Sequence, residues 1–186
     1  MFENIIKNVH NRHPLIHCIT NYVSINDCAN IVLACGGAPI MAEDINEVSQ
    51  ITSICQGLDI NIGMLNDNKL SSMLKAGATA NELGIPVILD PVGAGSSDYR
   101  IKAVQNLMSN VQFGVIRGNV SEIKAIAAKQ GIHNIAAGVY DTMQKNKSAM
   151  GVEAGIADKI TDDNIKEMAD FINKLSQKTG AVIAGT

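Results

Sequence analysis

The segment Arg117-Gly118-Asn119-Val120-Ser121-Glu122 stands between an apolar run, Phe113 to Ile116, and an apolar-periodic segment, Ile123 to Ala128. This order predicts a strand, a turn and a helix. In a parallel α/β sheet, such a turn lies at the carboxyl end of the strand, where ligands bind. A guanidinium and a helix start attract phosphate oxygens, whereas the carboxylate of Glu122 indicates a metal ion or its water. The segment therefore indicates a site for a nucleotide triphosphate with magnesium.

The same segment also has a purely structural interpretation. Asn119 is a good helix cap, and Glu122 stands where a capping box places its acidic residue. Both interpretations stay open at this point, because short motifs also arise by chance.

Apolar runs alternate with helix-periodic segments along the rest of the chain. The predicted strands are Leu58 to Ile62, Pro86 to Leu89, Phe113 to Ile116 and Ala181 to Ala184. The predicted helices are Asp27 to Ala34, Asp67 to Leu83, Tyr99 to Met108, one from Ser121, and Asp162 to Lys178. In the second of these, the predicted apolar face holds Leu70, Met73, Leu74, Ala80 and Leu83. The alternation predicts an α/β fold, with a mostly parallel sheet flanked by helices on both faces.

Composition bounds the class of protein. The chain has 186 residues, of which 46% are apolar and 18% charged, as in a single globular domain. The net charge of -3 and the lack of a basic run exclude a typical nucleic-acid-binding protein. No apolar run is long enough for a membrane span, and the start of the chain is unlike a signal peptide. The cysteines, Cys18, Cys28, Cys35 and Cys55, lack metal-site spacing and predict free thiols in a reducing cytoplasm.

A second polar loop, Asp90-Pro91-Val92-Gly93-Ala94-Gly95, follows the predicted strand Pro86 to Leu89. Its aspartate faces the ligand crevice and can hold magnesium or water beside a phosphate, while its glycines let the chain pass close to a ligand. An ordinary turn has the same composition. The acid-bearing loop one strand away, around Glu122, favours the ligand-binding interpretation.

Other polar positions give weaker signals. The stretch Thr20 to Asn26 suits a helix-start loop, and Met41 follows a short apolar run where its thioether is able to line an apolar pocket. His17 is predicted to be a hydrogen-bonded core residue in a strand rather than a base. The chain has no nucleophile elbow, Walker A loop or dinucleotide fingerprint, so it must handle a nucleotide without them.

Taken together, the segments resemble the hydroxyethylthiazole kinase family of thiamine salvage, within the ribokinase-like superfamily. The residues that carry the resemblance occur in family order: Ile19 to Val23, Ala29-Asn30, Pro39 to Ala42, Asn61 to Gly63, Leu89 to Gly95, Ile116 to Asn119, Ser121-Glu122 and Gly180 to Ala184. The resemblance implies one ribokinase-like domain over residues 1–186. It also implies transfer of the γ-phosphoryl group of ATP to the primary alcohol of 4-methyl-5-(2-hydroxyethyl)thiazole, with Mg²⁺.

The resemblance also implies roles for single residues. On the substrate side, Met41 contacts the thiazole and Asn26 lies nearby. On the ATP side, Arg117 contacts the phosphates, and Thr186 touches ATP from the end of its strand. Asn119 and Glu122 match an Asn-x-x-Glu motif that organises magnesium and phosphate. Asp90 matches an acid near the triphosphate and its metal. Family members are similar in forming homotrimers whose thiazole sites are shared between subunits.

Several features depart from the family pattern. Met64 stands where threonine is usual, and Gly185 replaces a bulkier apolar residue. The stretch Gly131 to Lys159 is predicted to be an insertion. The family's Gly-Thr-Gly-Cys loop, which holds the group that activates the alcohol, is expected beyond Thr186. The chain is therefore expected to be incomplete at its C-terminus, with no assignable catalytic residue and little kinase activity on its own.

Two alternatives remain open from the sequence. One is a ribokinase-like kinase of another small alcohol, such as hydroxymethylpyrimidine, because Met41 and Met64 only bias the shape of a pocket. The other is a non-catalytic binding or assembly module that keeps the fold and lacks the catalytic loop.

Overall fold

Helices and strands alternate in the computed structural model, which describes residues 2–131, 160–161 and 164–186. The helices in these ranges are α1 (Phe2–Arg12), α2 (Ile25–Ala34), α3 (Val48–Ser53), α4 (Asp67–Glu82), α5 (Asp98–Asn110), α6 (Val120–Lys129) and α7 (Ile165–Thr179). The strands are β1 (Leu15–Ile19), β2 (Ala38–Ile40), β3 (Gly57–Asn61), β4 (Val87–Asp90), β5 (Val115–Gly118) and β6 (Val182–Gly185).

The strands form a six-stranded sheet in the order β2-β1-β3-β4-β5-β6. Strand β1 pairs in parallel with β2 and β3, and β5 pairs in parallel with β6. The predicted α/β class with a mostly parallel sheet and flanking helices is therefore confirmed. The chain divides into two compact units, unit 1 with Met1–Leu89 and Asn110–Gln112, and unit 2 with Asp90–Ser109 and Phe113–Thr186.

In unit 1, β1 and β3 bury an aliphatic core that includes Ile19, Leu58 and Ile60. The apolar face predicted for α4 is only partly correct, because Met73 and Ala80 are buried as predicted and Leu70 and Leu74 are half-buried. The residues on the buried face are Lys69, Ser72, Met73, Ala76, Gly77 and Ala80, whereas Leu83 is 55% exposed. Its small residues allow a close approach, since a Cβ on Gly77 would stand 2.5 Å from a methyl group of Val111. Steric fit at the core therefore rotates the buried face of α4 away from Leu83 and toward its small residues.

In unit 2, α7 buries Met168, Phe171 and Leu175 at helical spacing. Gly180 ends α7 as the sequence predicts, because its φ of 72° lies in the left-handed region that glycine adopts without strain. Strand β5 begins and ends two residues later than the predicted run, so Arg117 and Gly118 lie inside the strand. The predicted insertion, Gly131 to Lys159, lies outside the described residues except for Gly131.

His17 on β1 is completely buried and both of its ring nitrogens are hydrogen-bonded. Because the carbonyl of Ala42 only accepts, Nε2–H donates to it at 2.8 Å, and the hydroxyl of Thr52 donates to Nδ1 at 2.9 Å. Burial lowers the pKa of His17 below its ordinary value, and outweighs the Ala42 hydrogen bond and the charge of Glu47, which raise it. The prediction of a hydrogen-bonded core histidine is confirmed.

None of the helices within the described ranges is both long and apolar enough to span a membrane.

We expect the neutral imidazole of His17 to make folding stability depend on pH. The unfolded chain takes up the proton near the ordinary pKa of 6.5, before the folded protein does. The stability contribution is therefore complete above this pH and is lost as the pH falls from it toward the lower pKa of the folded state, with a slope of at most about 1.4 kcal/mol per pH unit.

Chemical denaturation from about pH 8 to about pH 5 measures that slope. His17→Gln, which keeps a hydrogen-bonding side chain without this titration, should flatten it. His10→Gln, at an exposed position of α1, should leave it unchanged. An equal slope in His17→Gln and in the unaltered protein would contradict the assignment.

Candidate functional site

The start of α6 has the capping box that the sequence allows. The side chain of Asn119 accepts a hydrogen bond from the backbone nitrogen of Glu122 at 2.9 Å, and Oε2 of Glu122 accepts one from the backbone nitrogen of Asn119 at 2.8 Å. Two otherwise unpaired backbone donors of the helix end are satisfied in this way. The structural interpretation of this segment is therefore confirmed.

Glu122 also makes a contact that a capping box does not require. Its second oxygen, Oε1, accepts a hydrogen bond from the backbone nitrogen of Gly93 at 2.8 Å, and the residue is 6% exposed. A Cβ on Gly118 would lie 3.0 Å from Oε2 of Glu122 and 3.3 Å from the ring of Pro91, so a glycine permits this close packing. The buried carboxylate of Glu122 thus joins the start of α6 to the loop after β4.

That loop is also held from α5. The guanidinium of Arg100 donates to the carbonyl of Val92 at 2.7 Å. The backbone of Gly93 has a φ of 68°, which bends the chain toward Glu122 at little steric cost. Asp90, the last residue of β4, therefore stands at the base of a loop that two side chains fix in place.

Arg117 lies on β5 with 55% of its side chain exposed, and its Nη1 is 3.6 Å from Oδ2 of Asp90, whose side chain is 20% exposed. At this distance the pair is an electrostatic contact rather than a hydrogen bond. A phosphate group would offer the guanidinium shorter, charge-assisted bonds. The exposed guanidinium is therefore well suited to bind an anion.

Thr186 lies beside the end of β5. Its backbone nitrogen donates to the carbonyl of Gly118 at 3.0 Å, and its hydroxyl is 3.5 Å from the same oxygen. This contact continues the parallel pairing of β5 and β6. Unit 2 therefore brings together all the residues predicted for ATP and metal, namely Asp90, Arg117, Asn119, Glu122 and Thr186, at the carboxyl ends of β4, β5 and β6.

The chemistry of the donor set bears on a magnesium ion. No group of three or more His, Cys, Asp or Glu side chains that could enclose a metal occurs among the residues that the structure describes. Asp90 and Glu122 supply two carboxylates, and each oxygen of Glu122 accepts one backbone hydrogen bond while keeping a further lone pair. Mg²⁺ commonly uses one or two carboxylates and completes its shell with phosphate and water. The donor set fits an ion held in that manner.

The residues predicted for the alcohol lie in unit 1. Met41 directly follows β2 and is half-buried, and Asn26 is exposed in the first turn of α2. Because β1 and β2 are parallel, the loop after β1 and the residues after β2 leave the same edge of the sheet. Asn26 and Met41 therefore lie at the ligand-binding edge, and their contacts with a substrate remain predictions.

An amide pair organises this edge of unit 1. The side chain of Asn21 donates to Oδ1 of Asn61 at 3.2 Å, and the same oxygen accepts from the backbone of Gly63 at 2.8 Å. Asn21 also accepts from both the backbone and the hydroxyl of Ser24, at 3.0 and 3.1 Å. These polar residues therefore shape the loops after β1 and β3.

Reasoning from the sequence did not find an ion pair at the same edge, between a buried lysine and a carboxylate whose side chain is 41% exposed. Nζ of Lys69 is 2.8 Å from Oε2 of Glu43, and the lysine side chain is 3% exposed. Burial alone would raise the pKa of Glu43, but hydrogen bonds from Lys69 and Tyr22 lower it, so the carboxylate is charged at neutral pH. The hydrogen bond to Glu43 raises the pKa of the Tyr22 hydroxyl. The sequence did hold one signal that Lys69 is buried, because it stands four residues before Met73 and therefore on the same face of α4.

The cysteines are free thiols. Burial, with smaller contributions from Asp59, Cys28 and Cys55, raises the pKa of Cys18 to about 12, so this thiol is protonated and a poor nucleophile.

Comparison with known proteins gives a consistent family. The family model described as "HK: Hydroxyethylthiazole kinase family" matches residues 6–182. The hydroxyethylthiazole kinase of Clostridium acetobutylicum is 52% identical over 186 residues, which are 100% of this chain and 62% of that protein. The hydroxyethylthiazole kinase of Desulfovibrio desulfuricans is 44% identical over 183 residues, 98% of this chain and 59% of that protein.

A solved structure agrees with these sequence matches. The hydroxyethylthiazole kinase protein from Pyrococcus horikoshii OT3 is 36% identical, with a TM-score of 0.67 over 77% of this chain and 56% of that chain. This chain spans about three fifths of the length of the two curated relatives. The family match and the curated relatives agree over nearly all of the chain, and the fold agrees over 77% of it, so the chain belongs to the hydroxyethylthiazole kinase family.

Proposed function

We propose that the protein is a kinase that transfers the γ-phosphoryl group of ATP to the primary alcohol of 4-methyl-5-(2-hydroxyethyl)thiazole. The observation that carries the proposal is the convergence of Asp90, Arg117, Asn119, Glu122 and Thr186 at the carboxyl ends of three strands in unit 2. The two curated relatives are hydroxyethylthiazole kinases, which supports the thiazole alcohol as the acceptor.

Phosphoryl transfer depends mainly on positioning and charge neutralisation, since little covalent chemistry falls to the protein. Arg117 would bind phosphate oxygens through its exposed guanidinium, and the positive end of α6 would add a favourable field beside Asn119. Thr186 would contact ATP from the end of β6. The link from Glu122 to Gly93 keeps the loop of Asp90 in place while these groups act.

Asp90 and Glu122 would hold Mg²⁺ through oxygen or water. When bound, the ion supplies positive charge beside the phosphate oxygens of ATP. On the acceptor side, Met41 would contact the thiazole ring through its polarisable thioether, and Asn26 would bind close to it.

Turnover of a panel of alcohols tests the proposal. The assay uses the protein with its complete natural sequence. It is incubated with MgATP and equal concentrations of the thiazole alcohol and hydroxymethylpyrimidine. We expect phosphorylation of the thiazole alcohol with the higher kcat/KM. A preference for the pyrimidine would support a kinase of another alcohol. Binding of ligand without turnover would support a binding module, and either result contradicts the proposal.

Arg117→Ala should lower kcat/KM by roughly 10²-fold, the scale for losing one donor that stabilises a transition state. Arg117→Lys keeps the charge but loses the planar fork, so its activity should lie between those of Arg117→Ala and the unaltered protein. Lys102→Ala on α5, an exposed position, is the matched control and should retain full activity. An unchanged kcat/KM in Arg117→Ala would exclude its role at the phosphates.

The homotrimer that the family resemblance implies has support in unit 1. Helix α2 is rich in apolar residues, yet it has no buried residue. Ile31 is 61% exposed, Leu33 57% and the preceding Val23 89%. Exposed apolar groups clustered on one element mark surfaces that bind a partner. A trimer that covers α2 with neighbouring copies, and shares the thiazole site between subunits, would account for this exposure.

Leu33→Asp should therefore shift the protein from trimer to monomer, because it places a charge in an apolar interface. Analytical ultracentrifugation of the naturally encoded protein measures the mass. Leu83→Asp, at a position with a similar exposure of 55%, should remain trimeric. A monomeric unaltered protein, or a trimer that tolerates Leu33→Asp, would contradict the proposal.

The free thiols also support a place in a reducing compartment, which we take to be the cytoplasm.

A further inference from the structure

We propose that Lys69 is a positioning residue that joins the two segments leading to Asn26 and Met41, the residues predicted to bind the alcohol. The inference rests on the proposed function. Lys69 lies on the buried face of α4, where its neighbours at helical spacing include Ser72 and Met73. A lysine is almost never buried unless it is paired, because its charge loses water. The groups that pair with the Lys69 ammonium therefore indicate its role.

The ammonium of Lys69 contacts three groups from two different segments. It donates to the carbonyl of Thr20 at 2.5 Å and lies 4.4 Å from the centre of the Tyr22 ring, both in the loop after β1. It pairs at 2.8 Å with Oε2 of Glu43, which follows β2. The hydroxyl of Tyr22 donates to the other oxygen of Glu43 and closes the network. The Lys69 network is this set: Lys69, Glu43, Tyr22 and the Thr20 carbonyl.

Each of the two joined segments leads directly to a predicted substrate residue. The loop that contains Thr20 and Tyr22 continues into α2, whose first turn carries Asn26. Met41 stands at the end of β2, two residues before Glu43. Fixing these segments to one ammonium therefore fixes the backbone from which both side chains project.

Positioning explains the lysine better than stability does. Lys69 is buried, whereas 41% of the Glu43 side chain is exposed. At a buried position, an apolar residue of similar volume often matches or exceeds the stability that a paired charge gives, so an ordinary core position has no need of a charge. An apolar side chain would fill the space without holding a carbonyl and a carboxylate at fixed distances. The charge of Lys69 is balanced by Glu43, so it is poorly suited to bind an anionic ligand.

Lys69→Met, a change of similar length, tests the proposal in the naturally encoded protein with MgATP and the thiazole alcohol. We expect the KM for the alcohol to rise about tenfold, because small displacements of binding groups weaken productive binding. The kcat and the KM for ATP should change less than about twofold. Lys75→Met is the control on the same helix, since exposed Lys75 donates to the carbonyl of Ile45 at 2.9 Å outside the Lys69 network. It should leave all three constants unchanged.

Glu43→Gln should raise the same KM, and the double variant Lys69→Met/Glu43→Gln should raise it less than the product of the single effects, because both changes break one network. Tyr22→Phe removes only the hydroxyl of an exposed ring, so it keeps the test open if Lys69→Met does not fold. We expect it to raise the KM a few-fold.

The outcomes separate this inference from the function on which it rests. If the unaltered protein does not phosphorylate the thiazole alcohol, the proposed function is wrong and the positioning role falls with it. If it does, and the folded variants keep the KM of the unaltered protein for the alcohol, the positioning role alone is wrong. An equal loss for ATP and alcohol would likewise show a general structural role and overturn the inference.

Discussion

Parallel pairing of the strands is the constraint from which the candidate site follows. Because β1 pairs with β2 and β3, and β5 with β6, without a reversal of direction, the carboxyl ends of paired strands lie at one edge. Polar residues after a strand therefore meet one another even when they are distant in sequence. Thr186 and Gly118, 68 positions apart, are joined in this way. The same geometry in unit 1 places the start of α2, with Asn26, and the residues after β2, with Met41, at a common edge.

Glu122 has a structural role that is compatible with the functional role proposed for it. Its carboxylate completes the cap of α6 and also accepts the backbone N–H of Gly93. Leaving the buried N–H of Gly93 without this acceptor would cost about 1–3 kcal/mol of folding stability. The hydrogen bond therefore holds the loop firmly against α6. The two interpretations of the segment from Arg117 to Glu122 are therefore not exclusive, since the cap holds the helix end where a phosphate would bind.

In unit 1, a buried charge likewise joins segments that are distant in sequence. Lys69 is buried, and its ammonium is compensated by Glu43, by the Thr20 carbonyl and by the face of Tyr22. Such a network demands one geometry from all its members, because any displacement leaves a polar group without its partner. The exposed apolar residues of α2 stand close in sequence to this network. Substrate binding and subunit association would thus involve the same short stretch of chain after β1.

Local signals in the chain were enough for the class of fold and the order of its elements. Alternating apolar runs marked the strands, Gly180 marked the end of α7, and Asn119 with Glu122 marked the start of α6. The positions of Asp90 and Arg117 near the carboxyl ends of their strands were also predicted, and their roles at a ligand remain predictions. These features depend on backbone conformation and on spacing within a few residues, which sequence expresses directly.

Other features depended on packing between distant segments. The predicted face of α4 was correct at Met73 and Ala80, whereas the burial of Gly77 and of Lys69 beside them was not predicted. The bond from Glu122 to Gly93 had no local signal, and the helical spacing of Lys69 from Met73 did not identify Glu43 as its partner. Periodicity states which residues share a face of a helix. The side chains of neighbouring elements decide which face is buried and which group pairs with a buried charge.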